Sequence, residues 1–504
     1  MSLAKTTAPV ILAGAGPTGL TLAIELRRGG VDVLLLDRQA DRGVDGSRAA
    51  GLQPRTIEML DQRGIVDRFL AAGSPSNLPN FAGIKLDYSQ LPSRFPHAIN
   101  ILQAETERVL DDVAAELGAP VRWATEMTGV RQDGDGVEVT VEGPAGTETL
   151  SGRYLVGCDG GRSTVRKLMG VEFPGTDPTM VNLLADVELD EPPQRPVRLE
   201  RHEVGLITVL QLQPGWYRIV ATERARQAGP RDQVTFEELR ASVERIAGTD
   251  FGMHSPRWLS SFTDATRQAE SFRVGRVFLA GDAAHIHLPA GGQGINMGMQ
   301  DAFNLGWKLA AVVRGDALDA LLDTYHDERY AADADILKMS RAQSVLMDPD
   351  PRVADLVDVM TRLVGLDDVN HYLSTTMSGL DVRYPMPGAH PLLGRRVPDA
   401  DISTRGAEKR VFELLRAARP VLLDMSGTSD LADAAAGWAD RIDIVAADCP
   451  SQAWEVPGAG TISTPAALLI RPDGHVAWAS DRDPDLFALH EALDTWCGPA
   501  SSRL

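Results

Sequence analysis

Three cysteines in 504 residues, Cys158, Cys449 and Cys497, leave no material for a disulfide framework. They are scattered and none forms a CxxC pair. An odd set of that kind suits a reducing compartment, so a cytoplasmic location is expected. Basic residues are also short: 50 Lys and Arg face 70 Asp and Glu, a formal charge of −20. A phosphate backbone or an anionic membrane surface calls for a basic face, so neither nucleic acid nor membrane is an expected partner. No apolar run approaches the length of a membrane span. The first apolar stretch is broken by glycines and has no basic leader, so no signal peptide is expected. The sequence has no GxSxG elbow, no Walker A loop and no internal repeat. What remains is ordinary globular material, 43% hydrophobic and 24% charged. Its length suits roughly two to four domains.

Against that background one segment stands out: Arg276-Val-Phe-Leu-Ala-Gly281-Asp282-Ala-Ala-His285-Ile-His287-Leu-Pro289-Ala-Gly-Gly292-Gln-Gly294-Ile295-Asn296. Its apolar run predicts a buried strand, followed by a Pro/Gly loop and a helix starting near Gly294. Asp282, at the strand's carboxyl end, is placed to accept hydrogen bonds from a sugar-alcohol chain. The glycines let backbone N–H groups approach a flat ring, and the helix turns its positive end toward it. Such a cradle suits a flavin, whose pyrimidine edge gathers negative charge on reduction.

The N-terminus supplies a second half. Val10-Ile-Leu-Ala-Gly14-Ala-Gly16-Pro-Thr-Gly19 is a strand entering GxGxxG, followed by a helix over 20–28 and a second strand over 31–37 that ends in Asp37. The glycines permit a tight turn and close approach to a pyrophosphate, and the acid is placed for a ribose hydroxyl pair. This motif does not separate NAD from FAD. The Asp282 segment does, because it adds a contact at the far end of a longer cofactor.

A third segment is Tyr154-Leu-Val-Gly-Cys158-Asp159-Gly-Gly-Arg-Ser163-Thr-Val-Arg166. With the other two, it makes the chain resemble the single-component FAD-dependent aromatic hydroxylases over roughly its first 390 residues. The resemblance is nearest to the aromatic polyketide branch (anhydrotetracycline and angucycline hydroxylases) and to rifampicin monooxygenases. It implies an oxidoreductase that uses FAD, NADPH or NADH, and O2 to hydroxylate a polycyclic aromatic or related phenolic substrate in antibiotic biosynthesis. In that family a flavin C4a-hydroperoxide delivers the oxygen. Inactivation of an external antibiotic, a flavin oxidoreductase without oxygen insertion, and a flavin-loaded scaffold are the alternatives. An intact reduced-flavin cradle speaks against the scaffold.

The resemblance also implies site residues. The backbone of 292–296, including Gly292, Gly294, Ile295 and Asn296, would hold the pyrimidine edge, and Pro289 would stiffen the loop beside the reactive carbon. Arg48 would touch the pyrophosphate region near the nicotinamide donor. A planar, permanent guanidinium suits phosphate, but a surface salt bridge is the alternative. Gln103 matches a flavin-contacting position and is equally readable as a capping residue. Arg38 either flanks the adenosine or is simply solvated. Asp159 either lies near FAD and the donor or ties strand to helix. Asp37 departs from the commoner Glu by one methylene. Phe81, Phe95, Gln211 and Trp216 are placed in the substrate pocket by position alone. No general base is assigned; Arg48 and Pro289 are the only catalytic candidates. His285 and His287 share a face, but no acidic cluster is seen to complete a metal site, and none is expected.

The expected fold is α/β. A discontinuous Rossmann-like FAD-binding domain would span residues 1–75, 98–175 and 276–390. A mixed-sheet substrate domain would be inserted at 76–97 and 176–275. Expected helices are 105–117 and 235–246, with another opening at Ser47 and running to Gly64. After Tyr384 a Pro/Gly-rich stretch reads as a linker to a separate α/β unit, 391–504. That unit resembles the thioredoxin-like tail of phenol hydroxylases, with Thr464-Pro465 matching its cis-proline. Without a CxxC, packing or homodimer formation is its expected role.

Overall fold

The computed structural model describes residues 7–43, 49–76, 79–195, 197–223, 234–427, 430–482 and 484–501. Strand Thr7–Ala13 lies at the centre of an eight-stranded sheet, with parallel partners Val33–Leu36 and Gly146–Gly157 on either side. Val277–Leu279 continues in parallel on Gly146–Gly157, and Val121–Arg122 on Val33–Leu36. Such strands are covered on both faces, which explains their continuous apolar runs: Val10, Ile11, Leu12, Leu155, Val156 and Phe278 are wholly buried. Ala13 is level with Gly157, and Gly157 with Leu279. That register brings all three sequence motifs to one edge of the sheet.

Helix Pro17–Arg28 packs on helix Gln293–Arg314 through small residues. A side chain on Gly306 would meet Glu25 Cβ at 2.5 Å, and one on Gly29 would meet Ala310 Cβ at 2.5 Å. A second, five-stranded antiparallel sheet is ordered Val197–His202, Gly205–Gln213, Trp216–Glu223, Val181–Leu189, Met253–Thr263. Helix Phe236–Ala247 covers it with Leu239, Val243 and Ile246. The Thr235 hydroxyl caps that helix at the Glu238 amide, 3.2 Å away.

Three sequence expectations need correction. The helix expected to open at Ser47 begins at Pro54, because Gly51–Leu52 is a strand paired with Ile99 and Asn100. Proline at the first helical position then sets the start. No peptide bond among the described residues is cis, so Thr464–Pro465 is trans. Nor is 385–398 a free linker. Leu392 and Val397 are fully buried, and the Gly394 and Val397 amides donate to Val476 O (3.0 Å) and Gly474 O (2.8 Å). The prolines masked an apolar pattern that docks on the following sheet.

That sheet is ordered Asp443–Ala446, Val421–Asp424, Ala467–Ile470, Val476–Ser480. Its first pair is parallel and the rest antiparallel, and helix Leu486–Cys497 follows. One face of this sheet, with Val421, Leu423, Leu468 and Ile470, has its own core, and the other face joins the main one. Leu422, Leu469, Leu489 and Trp496 belong to one apolar cluster with Leu22 and Leu26. Ion pairs cross the same boundary. Arg471 binds Glu328 at 2.6 and 2.9 Å, and Arg410 binds Asp61 at 2.7 Å. Arg63, paired with Glu25 at 2.7 and 2.6 Å, also donates to Leu415 O (3.0 Å) and Pro472 O (2.8 Å). No helix among the described residues is long and apolar enough to cross a membrane.

Candidate active site

The three strand ends build the site. Gly14 has φ 105° and donates to Leu36 O at 2.7 Å. A side chain there would run into the Cys158 carbonyl, so the GxGxxG turn and the Asp159 segment touch. Thr18 plays the same part toward the Asp282 segment: its hydroxyl occupies the places where side chains on Gly281 and Gly298 would go. Gly16 differs, since nothing lies within 4 Å of where its Cβ would be. That space, at the N-terminus of helix Pro17–Arg28, is free for a ligand.

Asp37 accepts from the Ala15 amide at 2.8 Å and the Gln39 amide at 2.8 Å, which places its carboxylate across the glycine turn. Arg38 is exposed. The Gln103 side chain donates to Glu107 at 2.7 Å. Arg48 lies outside the described residues. Asp159 accepts from Ser163 Oγ (2.5 Å) and from the Thr164 (2.6 Å) and Val165 (3.1 Å) amides, so its carboxylate is engaged in tying strand to helix.

Asp282 stands exposed in a short turn, Gly281–Ala283, and its Oδ1 lies 4.0 Å from where a side chain on Gly294 would begin. His287 Nε2 flanks the same point at 3.6 Å. The other His287 nitrogen, Nδ1, is 2.6 Å from Leu288 O, and burial holds the ring below the usual histidine range. Neutral, with Nδ1–H donating, Nε2 is left as a buried acceptor without a partner among the described residues.

The loop after Pro289, itself exposed, takes Gly291 and Gly292 through φ 67° and 66° into helix Gln293–Arg314. The amides of that helix's first turn, Gly294 and Ile295 among them, have no intrahelical acceptor. Asn296 is fully buried. Its Oδ1 accepts from the Gln53 amide (2.8 Å) and its Nδ2 donates to Gly292 O (2.7 Å), so any contact it makes with a ligand is through its backbone.

Sequence reasoning missed the support beneath Asp282. Asp301 accepts from the Gly281 amide (2.9 Å), lies 2.8 Å from His285 Nε2 and accepts from Arg329 Nε (2.7 Å); Arg329 also binds Asp333. All four side chains are buried. The fold thus brings Asp301 and Asp333 to His285 from two helices, an acidic cluster that the linear sequence did not reveal. Their ligand atoms lie within 4.8 Å of one another. The Arg329 guanidinium already bridges both carboxylates, which leaves a second cation poorly placed. Burial opposes charge on His285, but Asp333 and Asp301 outweigh it and raise the imidazole to about 9. Burial likewise opposes ionisation of Asp301, yet Arg329 and His285 hold it down to about 2. Burial prevails at Asp333, helped by Asp301, and lifts it to about 8. Arg166 was also overlooked. It donates to Ala283 O at 2.7 Å and so fastens the Asp159 segment to the Asp282 segment.

The four presumptive pocket residues are dispersed. Phe81 is buried with Leu346, Leu373 and Met377. Phe95 is half-buried against the main core, and Gln211 donates to Tyr217 Oη at 3.4 Å. Trp216 carries the Arg257 guanidinium 3.2 Å above its ring. None of them lines the cleft of about 1170 Å³ that opens between residues 76–96 and helices Arg352–Val364 and Asp367–Ser378.

One sheet edge therefore offers room beside Gly16, two helix N-termini, an outward carboxylate and an orphaned imidazole nitrogen. Donors at both ends and acceptors between them fit a long dinucleotide that carries a flavin. Comparison with known proteins agrees. Residues 7–340 match the "FAD binding domain" family and residues 390–500 the "Aromatic-ring hydroxylase, C-terminal" family. The chain is 47% identical to the 12-dehydrotetracycline 5-monooxygenase/anhydrotetracycline 6-monooxygenase of Streptomyces rimosus, over 97% of this chain and 99% of that one. It is 42% identical to the rifampicin monooxygenase of Streptomyces venezuelae, over 98% and 99%. The solved structure of OxyS anhydrotetracycline hydroxylase from Streptomyces rimosus superposes with a TM-score of 0.91 at 46% identity, over 98% of this chain and 100% of that one. The chain belongs to the FAD-dependent aromatic-ring hydroxylases and is a flavoprotein monooxygenase.

Proposed function

We propose that this enzyme hydroxylates a polycyclic aromatic polyketide in antibiotic biosynthesis, with NADPH as donor, in the cytoplasm. The convergence of Gly16, Asp282 and the Gln293–Arg314 N-terminus on one sheet edge carries the cofactor part of this reading. The tetracycline-pathway relatives support the substrate class. Bound FAD supplies the redox chemistry, taking electrons from a nicotinamide and passing one atom of O2 to an electron-rich ring.

The chain's own residues bind, orient and exclude water. The Gly14, Gly16 and Gly19 turn receives the pyrophosphate on the amides of helix Pro17–Arg28. Asp37 takes the ribose, with Arg38 beside the adenosine. Asp282 and His287 Nε2 accept from the ribityl hydroxyls. The free amides at the start of helix Gln293–Arg314 would hold the pyrimidine edge, where negative charge develops, and Pro289, whose carbonyl takes the Gly292 amide, would stiffen the loop beside it. By the family resemblance, Arg48, outside the described residues, would meet the pyrophosphate, and Gln103 would contact FAD. Asp159 acts through position, holding the strand end that Gly14 abuts. No general base is needed for a substrate whose phenols and enols are already acidic.

The βαβ–ββα order of the last sheet supports a thioredoxin-like reading of residues 391–504. Without a CxxC, that unit serves packing, through Arg471, Arg410 and the carbonyls that meet Arg63.

Purified protein should be yellow, and NADPH oxidation should rise when a suitable aromatic is added, with product mass increased by one oxygen. Failure of a panel of anthracyclic, tetracyclic and angucyclic phenols to stimulate oxidation would overturn the substrate class. The rifampicin relative favours a second reading, antibiotic inactivation. In that case expression in a sensitive host would raise resistance to rifampicin.

A further inference from the structure

Gln53 sits just before helix Pro54–Gln62 with each of its polar groups assigned. Its amide donates to Asn296 Oδ1 (2.8 Å), its Nε2 to Gly291 O (3.0 Å), and its Oε1 accepts from Tyr88 Oη (3.2 Å). Both Gln53 and Tyr88 are buried. The Gly291 and Gly292 carbonyls are thus held on the protein side: Gly291 O by Gln53 and by Gln293 Nε2 (3.2 Å), Gly292 O by Asn296 Nδ2 (2.7 Å). Two successive glycines at positive φ have little intrinsic resistance to a peptide flip. The Gly292 amide is itself returned to Pro289 O (3.4 Å), and with both carbonyls fixed the amides that follow, from Gln293 on, keep the opposite sense. Tyr88 connects this arrangement outward, because it lines the cleft of about 1170 Å³. Burial pushes its phenol well above the usual tyrosine range, so it remains a hydrogen-bond donor rather than a base.

We infer that Gln53 is a positioning residue. It orients the 291–292 peptide at the helix entry, and Tyr88 orients Gln53, so that the free first-turn amides of 293–295 stay aimed at the ring edge. This rests on the reading that the loop faces the flavin. The chemistry affected is the relative hold on reduced, anionic flavin against oxidised flavin, which appears directly in the bound cofactor's reduction potential.

Gln53→Met keeps the backbone bond to Asn296 and removes both side-chain bonds. The expected result is a bound-flavin potential lowered by at least about 30 mV, a tenfold weaker relative hold on the reduced form for a two-electron couple. FAD occupancy and the thermal midpoint should remain near wild type. Tyr88→Phe leaves the Gln53 donor in place and should lower the potential by less. A fall in thermal midpoint with unchanged potential in both variants would show a merely structural role and overturn the inference. If Gln53→Met does not retain flavin, Tyr88→Phe decides alone, and an unshifted potential refutes. Asn296→Leu separates the two readings. Should it shift the potential while Gln53→Met does not, the loop reading stands and Gln53 is not a positioning residue. Should neither shift it, the loop does not face the ring and both readings fall.

Discussion

Arg471→Met is the sharpest probe of how the C-terminal unit is held. Arg471 binds Glu328 at 2.6 and 2.9 Å and pairs with Asp473, and Glu328 also binds Lys308 at 2.8 Å. The four charges balance and all are buried. Removing the guanidinium leaves two carboxylates facing one ammonium in low dielectric, which costs about 3–5 kcal/mol. The titration of Glu328 gives the same scale. Burial alone would raise it, but Arg471 and Lys308 hold it down from 4.5 to about 2, a difference of roughly 3 kcal/mol. The sign follows. A depressed carboxyl contributes stability above its unfolded pKa and loses it as pH falls through the folded one. In wild type that loss runs from about pH 4.5 down to about 2. In the variant the carboxyl is no longer held down, so its deficit is largest at pH 7 and narrows as pH falls below 5. The assay is guanidinium unfolding at pH 7 and pH 4, read by tryptophan emission. Trp496 and Trp307 lie 4.5 and 5.3 Å from the Arg471 guanidinium carbon and report locally. Multidomain chains need not unfold in one step, so the first transition is the one compared. A loss below about 1 kcal/mol at pH 7, the scale of an exposed pair, would refute the buried-quartet reasoning.

Other outcomes follow from the same structure. Gly16→Val should leave apoprotein stability near wild type, since no atom lies within 4 Å of the new Cβ, yet abolish flavin binding; a variant that purifies yellow would show that no ligand occupies that space. Gly14→Ala should instead impair folding, because its φ of 105° and the Cys158 carbonyl both oppose a side chain; soluble, flavin-loaded protein at wild-type yield contradicts this. Asp282→Ala should weaken FAD binding about tenfold or more, the loss of one or two charge-assisted hydrogen bonds, measured by flavin fluorescence on titration. His285 is raised to about 9, so its contribution is complete below its ordinary value of 6.5 and is lost as pH climbs to about 9. Asp333, raised to about 8, weakens the site in the same direction. FAD release should therefore rise from about pH 6.5 and level off near 9, and His285→Gln should flatten that rise; an unchanged profile would separate this cluster from cofactor retention.

The sheet and the three turns at its edge were legible because each strand announces itself as a short apolar run closed by Gly-Asp, Asp-Gly or GxGxxG. Register alone then decides that Ala13, Gly157 and Leu279 end together. Helix limits were readable within two residues where a cap was present, as at Thr235. The helix expected from Ser47 was misplaced because Gly51–Leu52 takes a partner nearly fifty residues away, which no local pattern records. Long-range polar chemistry was the larger omission. Asp301, Arg329 and Asp333 read as ordinary polar positions on helices, and only packing turns them onto His285. Gln53 and Tyr88 gave no signal, since a lone Gln and a lone Tyr carry no spacing. The 385–398 segment was misread for the opposite reason: its prolines and glycines spoke louder than Leu392 and Val397, which are buried.

The central claim is that one sheet edge holds FAD so that a single atom of O2 reaches an aromatic ring. Turnover under ¹⁸O2 with NADPH and a tetracyclic phenol, followed by mass spectrometry, tests it most directly. The account predicts flavin released in near-stoichiometric amount on denaturation and a product heavier by one ¹⁸O atom. Protein that folds without retaining FAD, or a transformed product carrying no label, would contradict it.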